Sequence, residues 1–286
     1  MSPVAADDFV VRTYRYLRLA MVFLVALLAV AVLREGLTRD PACWETSISS
    51  FYYTPVRSVF VGVLVAVGVC LVALKGNTER EDVLLNLAGM LAFGVAFVPT
   101  PAGGLCRPER SGGLAAIHDD IANNVFALLA VGAGVLGYAV WSGVRQRAAA
   151  GWQGVDVAGA AAAAAVVVGG ALVFALARAT FVRWAHDVSA ITMFLCLIVV
   201  MGLNALGVGR QRSDKALPLA EALRTGYAAV GIAMALTLAV VVALSLAHVR
   251  FAHLVLWLEA ALIVEFATFW VIQTRELWST GVRPQG

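Results

Sequence analysis

Long apolar runs separated by short polar connectors dominate the chain. Each run is close to the roughly 20 residues that a helix needs to cross a bilayer core. The runs are continuous rather than alternating, so they favour helices over the strands of a transmembrane barrel. The pattern predicts an all-α, polytopic transmembrane helix bundle of about eight spans, forming one integral membrane domain over residues 1–286. The predicted spans are 19–34, 56–75, 83–100, 121–143, 156–177, 186–207, 226–247 and 252–273.

Composition supports this class of protein and excludes others. The chain is 61% hydrophobic and 14% charged, whereas a soluble domain carries about 25% charged residues. We therefore expect a multi-pass protein of the cell membrane, with membrane lipids as its immediate partners. No Lys/Arg cluster is interleaved with aromatic residues, which excludes a nucleic-acid-binding surface of the usual kind. The sequence also contains no phosphate-binding loop, dinucleotide fingerprint or CxxC pair.

The basic residues predict an orientation with both termini in the cytoplasm, because cytoplasmic connectors carry an excess of Lys and Arg. In that orientation thirteen basic residues are cytoplasmic: Arg12, Arg15, Arg18, Lys75, Arg80, Arg145, Arg147, Arg210, Arg212, Lys215, Arg224, Arg275 and Arg283. Eight lie on the outer side: Arg34, Arg39, Arg57, Arg107, Arg110, Arg178, Arg183 and Arg250.

The four cysteines fit the same orientation. Cys70 and Cys196 lie within predicted spans and read as small core residues. Cys43 and Cys106 fall in the first and second outer connectors, where an oxidising compartment permits a disulfide. We expect a Cys43–Cys106 disulfide, with two free loop thiols as the alternative.

Polar side chains collect at the predicted outer ends of several spans. The densest group is His118-Asp119-Asp120-Ile121-Ala122-Asn123-Asn124, which runs directly into the fourth span. Arg57 opens the second span, His186 and Asp187 open the sixth, and His248 and His253 flank the start of the eighth. Polar groups at the edge of a membrane helix are costly unless they have partners or a function.

Two interpretations of these residues stay open. In the first, the side chains only occupy the headgroup layer, where polar tips meet water. In the second, they enclose a site in which histidines bind zinc and a carboxylate acts as base, or in which His–Asp pairs transfer protons without a metal. The candidate zinc ligands are His118, His186, His248 and His253. The candidate catalytic residues are Asp119, Asp187, Arg57 and Glu259, with Arg57 suited to hold an anionic headgroup.

Two acidic residues lie inside the last predicted span. Glu259 is about 10 Å below its outer edge and Glu265 about 10 Å deeper, at a rise of 1.5 Å per residue. An unpaired carboxylate at such depth is expensive, so each should face the bundle, be paired or carry a proton. Asn204 is a candidate partner for Glu265, and Arg57 or a histidine for Glu259.

Several segments resemble an uncharacterised family of bacterial multi-pass membrane proteins, the DUF998 type. The resemblance covers spans two to four and span eight, in SISSFYYTPVRSVFVGVL (47–64), EDVLLNLAGMLAFGVAFVPT (81–100), His118 and LEAALIVEFATFW (258–270). Matching positions are Tyr52, Tyr53, Arg57, Phe60, Val61, Gly62, Asn86, Ala88, Gly89, Pro99, Thr100, His118, Glu259, Phe266 and Trp270. The family implies a helical membrane protein and no established activity.

A looser similarity is to the ceramidase-like membrane hydrolases, which have a seven-helix core and a zinc bound by three histidines, with an Asp and a Ser. This chain has neither S-x-x-x-H nor H-x-x-x-H. Three functional hypotheses therefore remain: a metal-dependent hydrolase of a lipid-like substrate, a non-enzymatic ligand-binding or transport protein, and a structural subunit of a membrane complex.

Overall fold

The computed structural model describes residues 3–40, 43–100, 113–147, 154–212, 218–247 and 253–283, with the backbone alone for 3–8, 113–120, 143–147, 154–156, 212 and 218. Over these ranges the protein is all-α and contains no strand. The helices are α1 (Pro3–Thr38), α2 (Arg57–Ala73), α3 (Glu79–Phe97), α4 (Gly113–Arg147), α5 (Gly154–Leu176), α6 (Arg178–Arg212), α7 (Pro218–Leu223), α8 (Gly226–Leu246) and α9 (Leu254–Glu276). A short 3₁₀ turn, Ser49–Tyr53, precedes α2.

A helix lies at each of the eight predicted spans. The ninth helix, α7, is only six residues long and was not predicted. Six helices of the described chain are long and apolar enough to cross a membrane, namely α1, α4, α5, α6, α8 and α9. Of the other two, α2 is apolar but only 17 residues long, and α3 begins with three acidic residues. The first helix is much longer than its predicted span, because its polar residues 3–18 continue the same helix.

Side-chain caps fix where two of these helices begin. The Thr78 hydroxyl accepts a hydrogen bond from the backbone N–H of Glu81 (3.3 Å) at the start of α3. Thr225 does the same for the N–H of Ala228 (3.2 Å) at the start of α8. Such caps satisfy N–H groups that have no partner within the helix, and the acidic first turn of α3 complements its helix dipole.

Six helices pack in a closed ring in the order α1, α2, α3, α6, α8 and α9, with α9 returning to α1. The core of the ring includes the fully buried Met201, Met234, Phe269 and Trp270. The pair α4 and α5 lies outside the ring and joins it mainly through α5, which contacts α3 and α6. Large apolar side chains of this pair, such as Phe126, are exposed, as expected of helices that face lipid.

Each end of the ring is closed by a folded segment. At the end that contains Glu259, here the Glu259 end, the connector 43–56 packs inward and buries Ile48, Phe51 and Tyr52. At the opposite end, here the Asn204 end, residues 277–283 turn back against the helices, and Arg283 is buried. Gly281 makes this turn with φ +74°, a left-handed conformation that glycine adopts without a steric cost.

Candidate functional site

Glu259 anchors the connector that closes its end of the ring. Its carboxylate accepts a hydrogen bond from the backbone N–H of Ser49 at 3.1 Å, in the 3₁₀ turn. The neighbouring N–H of Ile48 is near enough to interact favourably with the same carboxylate. A negative group bound by backbone amides resembles the way in which anions are held at helix beginnings. Glu259 therefore joins the connector to α9 across the interior of the bundle.

Asp187 links Glu259 to a histidine. It lies close enough to Glu259 for electrostatic repulsion between the two carboxyl groups, and it interacts electrostatically with His186. The His186 ring is 3% exposed, and its Nδ1 lies 2.7 Å from the Val98 carbonyl oxygen. Since a carbonyl only accepts hydrogen bonds, Nδ1 carries a proton.

His253 and Arg57 both contact residues of the connector 43–56. His253 is the residue before α9, with φ +62°, and its Nδ1 lies 3.1 Å from the Glu45 carbonyl oxygen. Its ring meets Trp44 edge-on, with 6.1 Å between centroids. The Arg57 guanidinium donates to the Tyr52 hydroxyl at 2.8 Å and lies over the Tyr52 ring at 4.5 Å.

The beginning of α4 reaches the same region as His186. Ile121 and Val125 pack in one cluster with Val98, whose carbonyl binds His186. The helical turn that contains His118, Asp119 and Asp120 comes immediately before Ile121. That turn therefore precedes the part of α4 that packs on the segment binding His186, while the side chains of these three residues and all of His248 lie outside the described residues.

The two histidines whose side chains are described are hydrogen-bonded to different segments. His186 binds the carbonyl of Val98, just after α3, and His253 binds the carbonyl of Glu45, in the connector after α1. Among described side chains, no group of three or more His, Cys, Asp or Glu is arranged to hold a metal ion. A zinc site formed by His118, His186, His248 and His253 stays a prediction, because two of the four ligands fall outside that set.

Asn204 organises a buried polar network at the other end of the ring, which sequence reasoning did not identify. Its side-chain oxygen accepts hydrogen bonds from Asn77 (3.0 Å), Gln273 (3.3 Å) and Arg283 (3.3 Å). Its amide nitrogen donates to the Val200 carbonyl at 2.9 Å. The network therefore joins α6 and α9 to the α2–α3 connector and the segment 277–283. The signal in the sequence was an amide in each of two otherwise apolar spans.

Charged groups in this network are paired. The Arg283 guanidinium binds Glu276 at 2.9 Å, and Glu276 also accepts a hydrogen bond from the Tyr227 hydroxyl. The backbone N–H of Arg283 donates to Asn77 at 2.7 Å. Arg18, which is 3% exposed, donates to Gln273 at 3.0 Å and to the Gly281 carbonyl at 2.5 Å. Arg18 thus binds the segment that closes the ring, and Arg283 joins that segment to the helices.

Glu81, which precedes the apolar part of α3, belongs to the same network. Its carboxylate accepts from the backbone and side-chain N–H groups of Asn77, at 2.9 and 3.1 Å. Burial raises the pKa of Glu81, against the opposing effects of the Asn77 hydrogen bonds and the Arg283 charge. Nearby, the hydrogen bond from Lys75 to Asp82 raises the pKa of Lys75.

A cleft of about 400 Å³ lies beside this network, between α6, α9 and the start of α8. Its polar lining comes from Gln211, Arg224, Tyr227 and Glu276. Glu276 and Tyr227 already bind each other within the network. The cleft is therefore a recess in the surface of the Asn204 end.

Two expectations about individual contacts are resolved. The pairing of Asn204 with Glu265 is wrong, because the carboxyl group of Glu265 is hydrogen-bonded instead to the Thr237 hydroxyl, 2.9 Å away, and the oxygen of Asn204 is used by the network described above. Cys43 is disulfide-bonded, and Cys70 and Cys196 are free and buried. The expected partner, Cys106, falls outside the described residues, so that pairing stays a prediction.

No family model, curated protein or solved structure matches the chain.

Proposed function

We propose that the protein crosses the cell membrane eight times, with both termini in the cytoplasm and the Glu259 end on the outer side. The disulfide at Cys43 supports this orientation, because that end must then face an oxidising compartment. The basic residues Arg18, Lys75 and Arg283 at the Asn204 end support it as well. In this arrangement α2 and α3 are the two spans beyond the six long apolar helices.

We further propose that the protein binds and transports a small cationic solute, with Asp187 and Glu259 as its binding residues. The observation that carries this proposal is the carboxylate of Glu259, which lies inside the helix bundle with the backbone N–H of Ser49 as its hydrogen-bond donor and with the charge of Asp187 acting on it. Two carboxylates that repel each other in a poorly hydrated site become stable together when they share a cation or a proton. Ionisable residues inside a membrane bundle commonly mark such pathways.

The contrast with the Asn204 end supports this assignment. There each charged group of the network binds an opposite charge or a set of polar partners, as Arg283 binds Glu276 and Asn204. At the Glu259 end the buried carboxylate of Glu259 has a neutral amide of the connector as its hydrogen-bond donor, and the charge of Asp187 acts on it as well. A binding site for a cation needs a carboxylate that is not already neutralised by a basic partner, whereas a structural contact does not.

Thermal unfolding of the purified protein in detergent tests the proposal. Sodium, ammonium and methylammonium chloride are compared at constant ionic strength, with tryptophan fluorescence as the signal. We expect at least one of them to raise the unfolding temperature of the wild type and to have no effect on Glu259→Gln or Asp187→Asn. The control is Glu79→Gln, an exposed residue that makes the same change of charge at the other end. Equal shifts in Glu79→Gln and Glu259→Gln would contradict the proposal.

A zinc-dependent hydrolase is the second candidate, and one observation favours it. The helix that contains His118, α4, packs through Ile121 and Val125 against Val98, whose carbonyl binds His186, and the Nδ1 of His186 is bound to this carbonyl as the second nitrogen of a metal-bound histidine usually is. The test is the zinc content of wild type and His118→Ala, purified without chelators. One zinc per chain that is lost on substitution would make hydrolysis of lipid amides and esters the activity to measure, and its absence from wild type would remove this candidate.

A further inference from the structure

Glu265 lies at the midpoint of α9, with eleven residues of the helix before it and eleven after it. At 1.5 Å per residue this places it about 16 Å from either end of the helix. Its hydrogen-bond partner, Thr237, lies at the middle of α8. A transmembrane helix of this length therefore holds the carboxyl group near the centre of the bilayer, where a charged side chain is most costly.

The carboxyl group lies at the surface of the bundle rather than in its core. Val264 beside it is 61% exposed, and Leu236 beside Thr237 is 64% exposed. Glu265 itself is partly exposed. The groove between α8 and α9 is thus open to the surrounding lipid at this level, and it offers no water to solvate a charge.

The contacts of the carboxyl group indicate that it carries a proton. The Thr237 hydroxyl lies 2.9 Å from Glu265 Oε1 and 3.0 Å from the Ala233 carbonyl oxygen. A hydroxyl has one proton, so both contacts are hydrogen bonds only when Glu265 donates one of them. The second oxygen, Oε2, is buried and has no hydrogen-bond partner, which an ionised carboxylate would not tolerate.

No positive charge within the described part of the neighbouring helices compensates Glu265. The sequence of α8 contains no Lys, Arg or His, and Tyr227 at its beginning is its one titratable residue. The part of α1 between Arg18 and Arg34 contains no titratable residue. Within α9 the other charged residues are Glu259, Arg275 and Glu276, all near the helix ends.

We propose that Glu265 is a proton-binding site at the centre of the membrane, loaded with its proton at neutral pH and reached from the lipid through the groove between α8 and α9. This site is separate from the Asp187–Glu259 pair and does not depend on its function. Its ligand is the proton. The same protonated, lipid-facing acid is also the group that a hydrophobic carbodiimide attacks.

Reaction with dicyclohexylcarbodiimide in native membranes tests the proposal. The carboxylic acid transfers its proton to one carbodiimide nitrogen, and its oxygen bonds to the central carbon to give an O-acylisourea. Migration of the acyl group to nitrogen then gives a stable N-acylurea, so that no atom leaves and nothing is oxidised or reduced. Peptide mass spectrometry locates the adduct. We expect it on Glu265 at pH 7 to 8, and a water-soluble carbodiimide should react there much more slowly.

Two variants and a second measurement make the result decisive. Glu265→Gln keeps the size and hydrogen-bonding capacity of the side chain and should remove the adduct, whereas Glu259→Gln should retain it. The infrared C=O stretching band of a protonated carboxyl group should be present in the wild type and weaker in Glu265→Gln, which reports the proton without any labelling. A wild type that forms no adduct on Glu265, or two proteins with the same infrared band, would overturn the proposal.

Discussion

The two ends of the helix ring are closed by the same device, a short folded segment, but with opposite chemistry. At the Asn204 end the segment 277–283 inserts a positive charge, Arg283, among amides and a matching carboxylate. At the Glu259 end the connector 43–56 offers a backbone N–H to a buried carboxylate, and the charge of Asp187 acts on the same group. One end thus buries an arginine paired with a carboxylate, and the other buries a carboxylate held by a neutral amide.

The difference distinguishes polar groups that stabilise the fold from polar groups that are free to bind a ligand. Buried polar groups stabilise a fold when all of them are satisfied by one another, and the Asn204 network meets this condition at nearly every atom. Two carboxyl groups that repel each other lower stability unless something binds between them. We therefore expect substitutions at the Asn204 end to affect folding and conservative ones at the Glu259 end to affect ligand binding.

The largest expected effect is that of Asn204→Leu. It removes the acceptor of three side chains and leaves the buried Arg283 guanidinium with one partner fewer, so we expect a loss of about 4 kcal/mol in the free energy of unfolding. Unfolding in mixed micelles of increasing dodecyl sulfate content measures it. Asn123→Leu, an exposed amide on α4, is the control and should change stability little. Equal stability of both variants would show that the network is not structural.

The second largest effect is expected from loss of the Cys43 disulfide, which lies at the Glu259 end. Cys43→Ser removes the disulfide that fixes the connector, and loss of a native disulfide costs about 2 to 5 kcal/mol. We expect about 3 kcal/mol, together with faster hydrogen exchange over 43–56 and unchanged exchange over 277–283. A reductant should have the same effect on the wild type and none on the variant. Faster exchange at both ends alike would contradict a disulfide that acts on one end.

Sequence reasoning predicted the helices well and the contacts between them poorly. Continuous apolar runs mark spans such as 226–247, observed as Gly226–Leu246, because the length needed to cross a bilayer is a property of the chain itself. The partner of Glu265 depends on which helix lies beside α9. That neighbour is α8, adjacent in sequence, yet the prediction chose Asn204 on α6 because a distant amide appeared chemically suitable.

The same limit applies to the site. The sequence predicted that His186, Asp187 and Glu259 lie on one face of the bundle, since periodic crossing of the membrane places their helix beginnings on one side. The charge of Asp187 acts on both His186 and Glu259, while a shared site stays a prediction. It did not predict that Arg283 would be buried, because a basic residue after the last span usually lies in water. Only the left-handed turn at Gly281 returns this part of the chain to the ring.

A smaller effect comes from a matched pair of glycines in α6. A Cβ at Gly207 would collide with the Arg283 guanidinium, whereas one at Gly202 would meet nothing within 4 Å. Alanine is favoured over glycine inside a helix by about 1 kcal/mol. We expect Gly202→Ala to be neutral or stabilising and Gly207→Ala to lower stability by about 1 kcal/mol, as the guanidinium moves aside. The same thermal unfolding curve for both variants would mean that Arg283 does not occupy this place.

The smallest effect is a dependence on pH at the Asn204 end. Burial raises the pKa of Glu81 above its ordinary value of 4.5, so the folded protein holds this proton more tightly than the unfolded chain. Its contribution to stability is complete below about pH 4.5 and is lost as the pH rises through the folded pKa. Glu81→Gln should make the stability less dependent on pH over that interval. A variant with the same pH profile as the wild type would exclude Glu81 as the cause.

The closed ring also has a consequence for biosynthesis. Because α9 packs against α1, one face of α1 stays uncovered until α9 has also been inserted. Contacts that are so distant in sequence form slowly, and incompletely assembled chains expose surfaces that associate wrongly. The partners that Arg18 has in the folded protein, Gln273 and Gly281, are synthesised more than 250 residues after it. A membrane chaperone that shields α1 would therefore act in the interval between insertion of α1 and arrival of α9.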